Sequence, residues 1–151
     1  MIIQERMDYA ARRKKEMNCC QAVLVAFASE LGRSEEELLR LGSGFGSCMG
    51  TMEGTCGALV GAIMVSSLLA ENGSAMPASR AIMFRFKELC GATVCRDLKG
   101  IGTGKVLCGC ENCVRNAVLA AAERNFQDVL NQKDKNAVGI AGILRGIGAS
   151  K

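Results

Sequence analysis

Nine cysteines and no histidine in 151 residues leave this chain few chemical choices. A chain so rich in thiols can hold a thiolate-ligated metal or cluster, run dithiol–disulfide chemistry, or carry structural cystines. Composition excludes acid–base catalysis by histidine, His-ligated zinc and His-ligated haem. The cysteines are Cys19, Cys20, Cys48, Cys56, Cys90, Cys95, Cys108, Cys110 and Cys113.

The length suits one domain, 1–151, with a proper core. Apolar residues make up 49% of the chain, aromatics are limited to five Phe and one Tyr, and Pro77 is the single proline. Val, Ile and Thr are scattered inside helical periods, so the expected fold is all-α: a single-domain bundle of about five to seven helices with two glycine-rich loops.

The net charge is +4. The one basic run, Arg12-Arg13-Lys14-Lys15, has no second basic stripe and no aromatic interleaving, and reads as a solvated helix face rather than a nucleic-acid or membrane surface. Charges through residues 1–17 leave no room for a signal peptide's apolar region. The expected compartment is therefore the cytoplasm, where thiols stay reduced. An odd number of cysteines also cannot all pair within one chain. Residues 54–70 form the longest uncharged stretch, between Glu53 and Glu71. They fall short of the about 20 apolar residues a membrane span needs, and read as a buried central helix. Gly57 and Gly61 form a smooth stripe on it for a second helix, from this chain or from another copy, which leaves a homodimer open.

Periodicity predicts a first helix over 2–16, carrying Ile3, Met7, Ala10 and Ala11 on one face. Asn18 reads as the cap of a second, 19–31, stopped by Gly32. Ser34 and Glu37 form a capping-box pattern for a short third helix ending near Leu41. A glycine-rich loop follows, and Thr55 is the expected cap of the central helix, 56–71. Pro77 suits the first turn of a helix running to Cys90. Thr93 is the expected cap of a short helix, 94–99, before a second glycine-rich loop. A long helix is expected over 109–131 and a last one over 136–146.

Four cysteines thereby fall at helix starts: Cys19, Cys56, Cys95 and Cys110. Unpaired backbone N–H groups and the helix dipole favour an anion there and lower a thiol's pKa. Helix ends gather at one pole of a bundle, so these positions can converge. Cys113 is one turn beyond Cys110, and Cys48 lies in a glycine loop from which it can reach a site. Cys90, in an apolar helix, reads as packing. Cys110-x-x-Cys113 is the single CxxC, which disfavours a zinc ribbon, and no βαβ pattern supports a thioredoxin fold. Two apparent phosphate motifs fail. Gly44-Phe45-Gly46-Ser47-Cys48-Met49-Gly50 is GxGxxxG with no strand before it, and Gly104-Lys105 is followed by Val106 instead of Ser or Thr.

The chain resembles the C_GCAxxG_C_C family of redox-active proteins. Asn18-Cys19-Cys20-Gln21-Ala22-Val23 looks like its opening NCxQAV, and Gly44-Phe45-Gly46 like its glycine–phenylalanine–glycine loop. Cys56-Gly57-Ala58-Leu59-Val60-Gly61 is the CGAxxG motif. Cys95-Arg96-Asp97-Leu98-Lys99-Gly100 looks like its C-R-x-L-x-G segment, and Cys110, Val114 and Ala117 like its closing C-x-x-x-V-x-x-A. The resemblance spans about 15–125; the tail from about 132 to 151 lies outside it. It implies a redox role in bacteria and places the family's four cysteines on Cys19, Cys56, Cys95 and Cys110. Five further cysteines depart from the pattern.

The leading expectation is a redox protein, carrying or sensing electrons, with an iron–sulfur cluster on Cys19, Cys56, Cys95 and Cys110. Cys48, Cys108 and Cys113 are additional candidate ligands. Gly44, Gly46 and Gly57 are candidate cofactor-lining residues, whose backbone N–H groups can donate to cluster sulfurs. The implied partner is a redox protein. The alternatives are metal-free dithiol–disulfide chemistry, with Cys110/Cys113 or Cys19/Cys56 as pairs, and a zinc ion on four thiolates.

Overall fold

A computed structural model describes residues 1–126. Its elements are α1 (Ile3–Arg13), α2 (Cys19–Val25), α3 (Ala28–Leu31), α4 (Glu35–Gly42), a 3-10 turn (Ser43–Phe45), α5 (Gly57–Leu69), α6 (Met76–Cys90), α7 (Cys95–Lys99) and α8 (Cys110–Asn125). The fold is all-α, with eight α-helices and no strand among the described residues. The expected last helix, 136–146, and the expected end of the long helix lie outside them.

α5 is the axle. It is apolar all round, as a helix enclosed by others must be, and it packs against α2, α6 and α8. Its two glycines meet neighbouring backbone, Gly61 that of α2 and Gly57 that of the 3-10 turn. A Cβ on Gly61 would stand 2.9 Å from the Cys20 carbonyl oxygen and 3.1 Å from Val23 Cβ. One on Gly57 would stand 2.7 Å from the Phe45 carbonyl oxygen. The stripe is thus filled from within the chain, by α2 and the 3-10 turn. On the opposite side the buried Ser66 hydroxyl accepts from Asn125 Nδ2 at 2.8 Å, tying α5 to α8. α1 lies on α8, where Arg115 pairs with Asp8.

The local signals for α2 and α4 hold. Asn18 Oδ1 accepts from the Gln21 amide at 2.9 Å, and the Gln21 side chain accepts from the Asn18 amide at 3.1 Å. Ser34 and Glu37 make the same reciprocal pair.

The expected helix 19–31 breaks at Phe27, which is why the bundle has more helices than expected. Phe27 leaves helical geometry at φ −114°, ψ 15° and is completely buried. Its ring stacks on Phe126 at 5.8 Å beneath the Arg6 guanidinium, 4.8 Å from the ring centroid. Arg6 also donates to the Ala26 carbonyl at the break and pairs with Glu30. Tertiary contacts with α1 and α8 therefore override the helical period.

Neither Thr55 nor Thr93 acts as a cap. Thr55 and Val94 form an isolated antiparallel bridge, in which the Cys56 amide donates to the Thr93 carbonyl at 2.8 Å and the Cys95 amide to the Gly54 carbonyl at 3.1 Å. Extended backbone here moves the N-cap positions to Cys56 and Val94.

Gly61→Val puts branched carbon where α2 backbone stands. Overpacking of this kind costs about 1–3 kcal/mol. Urea unfolding followed by circular dichroism should show that loss, and an unchanged midpoint would contradict the close α2–α5 contact.

Candidate functional site

The four helix-start cysteines do lie at helix starts. Cys19 opens α2, Cys56 is the N-cap of α5, Cys95 opens α7 and Cys110 opens α8. The α2–α5 contact sets Cys19 beside the start of α5, and the Thr55–Val94 bridge sets Cys95 beside Cys56. Gly109 caps α8, leaving Cys110 in its first turn.

All four line one cavity of about 140 Å³, together with Cys48 and Cys113. Lys14 and Lys99 also line it, as do Gly46 and Gly57. Gly44 is exposed and is not part of this lining. Cys20, next to Cys19, turns into the core, its sulfur 3.7 Å from Met64 Sδ. Adjacent residues on a helix point about 100° apart, which separates their fates.

Cys48 and Cys95 form a disulfide, with Cα atoms 6.1 Å apart. The loop carrying Cys48 has unusual backbone. Ser47, Cys48 and Met49 all have positive φ, at 47°, 49° and 65°. Left-handed geometry costs a side-chain-bearing residue roughly 1–2 kcal/mol. Backbone hydrogen bonds from Gly50 to Gly46 and from Met52 to Ser47, each 2.9 Å, close this left-handed turn.

The remaining thiols share protons in pairs. Cys110 is held down to about 5, chiefly because the Cys19 thiol donates to it, with the Lys99 and Lys14 ammonium charges adding to the effect against burial. Cys19 is correspondingly pushed up, by Cys110 first and by burial second. Cys56 is lowered to about 7, mainly by the Cys113 thiol and further by the Leu59 and Ala58 amides at the start of α5, although no formed cap hydrogen bond is present. Cys113 is pushed up by the neighbouring Cys56 and Cys90 sulfurs first and by burial next, and its thiol donates to the Cys108 carbonyl at 3.6 Å. The expectation that all four helix-start thiols ionise easily is therefore corrected: Cys56 and Cys110 do, Cys19 keeps the shared proton, and Cys95 is in the disulfide.

Below the cavity lies a second group. The sulfurs of Cys90, Cys108 and Cys113 lie within 4.8 Å of one another, and all three residues are buried. Cys90 is lowered to about 6, first by the Cys113 thiol and then by Asn116 and Cys108, against burial. Cys108 is raised to about 11, mainly by burial. Cys90 does pack in the core as expected, but it also joins this group.

Sequence reasoning missed Cys90, Lys14 and Lys99 as neighbours of the thiols. Lys14 belongs to a run that reads as solvated surface, and Arg13 in that run is indeed paired, with Glu35 and Glu16. One signal for Lys99 was available: it lies four residues after Cys95, one helical turn along.

A family model described as "Putative redox-active protein (C_GCAxxG_C_C)" matches residues 17–124, well over half of the chain. The chain belongs to this family. The C_GCAxxG_C_C match begins just before the Asn18 cap and ends in the last turn of α8, so it covers every cysteine. Neither a curated protein nor a solved structure matches the chain. Family membership and the clustered cysteines together support a redox role.

In the reduced, metal-free chain, alkylation should separate Cys110 from Cys19. The thiolate is the nucleophile, and its fraction grows as pH rises through the pKa. A thiol held at about 5 is mostly ionised at about pH 6, where an ordinary thiol near 8.5 is under about one per cent ionised. Iodoacetamide at that pH should mark Cys110 first, and Lys99→Met should move its rate profile to higher pH. Equal marking of the two sites by peptide mass spectrometry would refute the assignment.

Proposed function

We propose that this chain is an electron-transfer or redox-sensing protein that holds an iron–sulfur cluster in its cysteine-lined cavity. Cys19, Cys56, Cys95 and Cys110 are the proposed ligands, and Cys48, Cys108 and Cys113 are further candidates. One observation carries the reading: the four family cysteines, drawn from four separate helix starts, line the same small cavity. The donor chemistry fits, because the convergent side-chain donors are sulfur, the ligand these clusters prefer. Lys14 and Lys99 supply positive charge against the negative charge of a thiolate-ligated cluster, and lysines so placed make reduction easier. Gly46 and Gly57 bring backbone to the lining without side-chain bulk. A bound cluster would supply one-electron chemistry, exchanged with a redox partner protein. The cytoplasm suits this reading, since a reducing compartment keeps the ligands available.

A ligand set that includes Cys95 requires the Cys48–Cys95 bond to be open. Opening it takes up two electrons and two protons and yields two thiols. That bond favours a second reading, metal-free dithiol–disulfide chemistry with Cys48 and Cys95 as the exchanging pair.

Anaerobically produced protein should be brown, with iron and acid-labile sulfide in the ratio of one cluster per chain. Cys19→Ser and Cys110→Ser should each lose most of both while keeping the helical signal. Colourless, iron-free protein would overturn the cluster reading. If mild reduction then adds two hydrogens by mass and frees Cys48 and Cys95, the dithiol reading stands in its place.

A further inference from the structure

The geometry points to a second metal site, apart from the four leading cluster ligands and drawing Cys108 and Cys113 away from the further candidates for that cluster: Cys90, Cys108 and Cys113 form a three-sulfur seat for one divalent thiophilic ion of the zinc class. The three come from different elements. Cys90 is the last residue of α6, and Cys113 sits one turn into α8. Cys108 lies in the segment before α8, its amide anchored on the Leu98 carbonyl at 3.1 Å. Folding thus brings together three sulfurs that no local motif joins, all within 4.8 Å of one another. Thiolate bonds to zinc of about 2.3 Å place three sulfurs about 4 Å apart around one ion, a small contraction from this arrangement.

A neighbouring side chain supports the assignment. Asn116 Nδ2 donates to Cys90 Sγ at 3.3 Å and approaches Cys108 Sγ at 4.0 Å. Apolar packing of thiols needs no such amide, whereas metal ligands are commonly oriented by a hydrogen-bond partner of this kind. The seat holds sulfur donors only, which select a soft ion over magnesium or calcium. Three thiolates around a divalent ion leave one net negative charge, and around a monovalent ion two. The donor beside these sulfurs is the neutral Asn116 amide, so the smaller residual charge is the one the site accommodates.

Cys113 also borders the cavity, so the test uses Cys90 and Cys108. A full-length Cys19→Ser/Cys110→Ser chain, reduced and anaerobic, removes two of the proposed cluster ligands. Titrated with Zn(II) against a chromophoric chelator, it should bind one ion. Adding Cys90→Ala or Cys108→Ala should abolish that binding, and adding Asn116→Leu should weaken it about 10–100-fold. Circular dichroism verifies the fold in each case, and two separate cysteine variants guard against one that fails to fold. Zinc retained after loss of either cysteine, or no zinc bound by the folded Cys19/Cys110 variant, would overturn the proposal. Iron content of the unmodified chain reports on the cluster reading separately.

Discussion

Two helix backbones in contact make this site possible. Gly61 lets α5 lie against the α2 backbone at Cys20, and Gly57 lets it approach the Phe45 carbonyl of the 3-10 turn beside the start of α2. That contact fixes Cys19 relative to Cys56, because both stand at the ends of the touching segments. α8 then packs along the far side of α5 and delivers Cys110 and Cys113. The CGAxxG motif reads in these terms as two parts of one device. Its cysteine faces the cavity, and its two glycines bring the neighbouring helix close enough to present another.

The electrostatics follow from the same crowding. Thiols this close cannot all ionise, since each new charge penalises the next in a buried setting. Some thiols therefore keep their protons while neighbours give theirs up: Cys19 is pushed up beside a lowered Cys110, and Cys113 is pushed up beside lowered Cys56 and Cys90. Two lysines tilt the outer pair toward the anion, while the inner group relies on a neutral amide. The two ends of the sulfur cluster are therefore chemically unlike, although a single residue, Cys113, borders both.

What could be read from the residues alone was whatever short-range chemistry decides. The Asn18 and Ser34 caps, the Pro77 helix start and the helix-start placement of four cysteines depend on a few neighbouring residues, and all were legible. The break at Phe27 was not, because a distant arginine and Phe126 hold that ring. Thr55 and Thr93 look like caps, but their segments pair with each other, and that pairing spans almost forty residues of sequence. Cys90 illustrates the same limit. Its apolar helix was correctly read as core, yet which core neighbours it meets depends on the register between α6 and α8.

The bridge between Thr55 and Val94 has one more consequence. Residues 57–93 leave the thiol pole along α5, turn near Asn72–Gly73–Ser74 and come back along α6 to the place they left. A helix of 13 residues carries the chain roughly 20 Å. The turn is thus a handle at the distal tip of a closed excursion, whose two roots are clasped by main-chain hydrogen bonds. A dye, a surface tether or a relocated chain terminus fixed at that handle leaves both roots clasped and stays well away from the sulfurs.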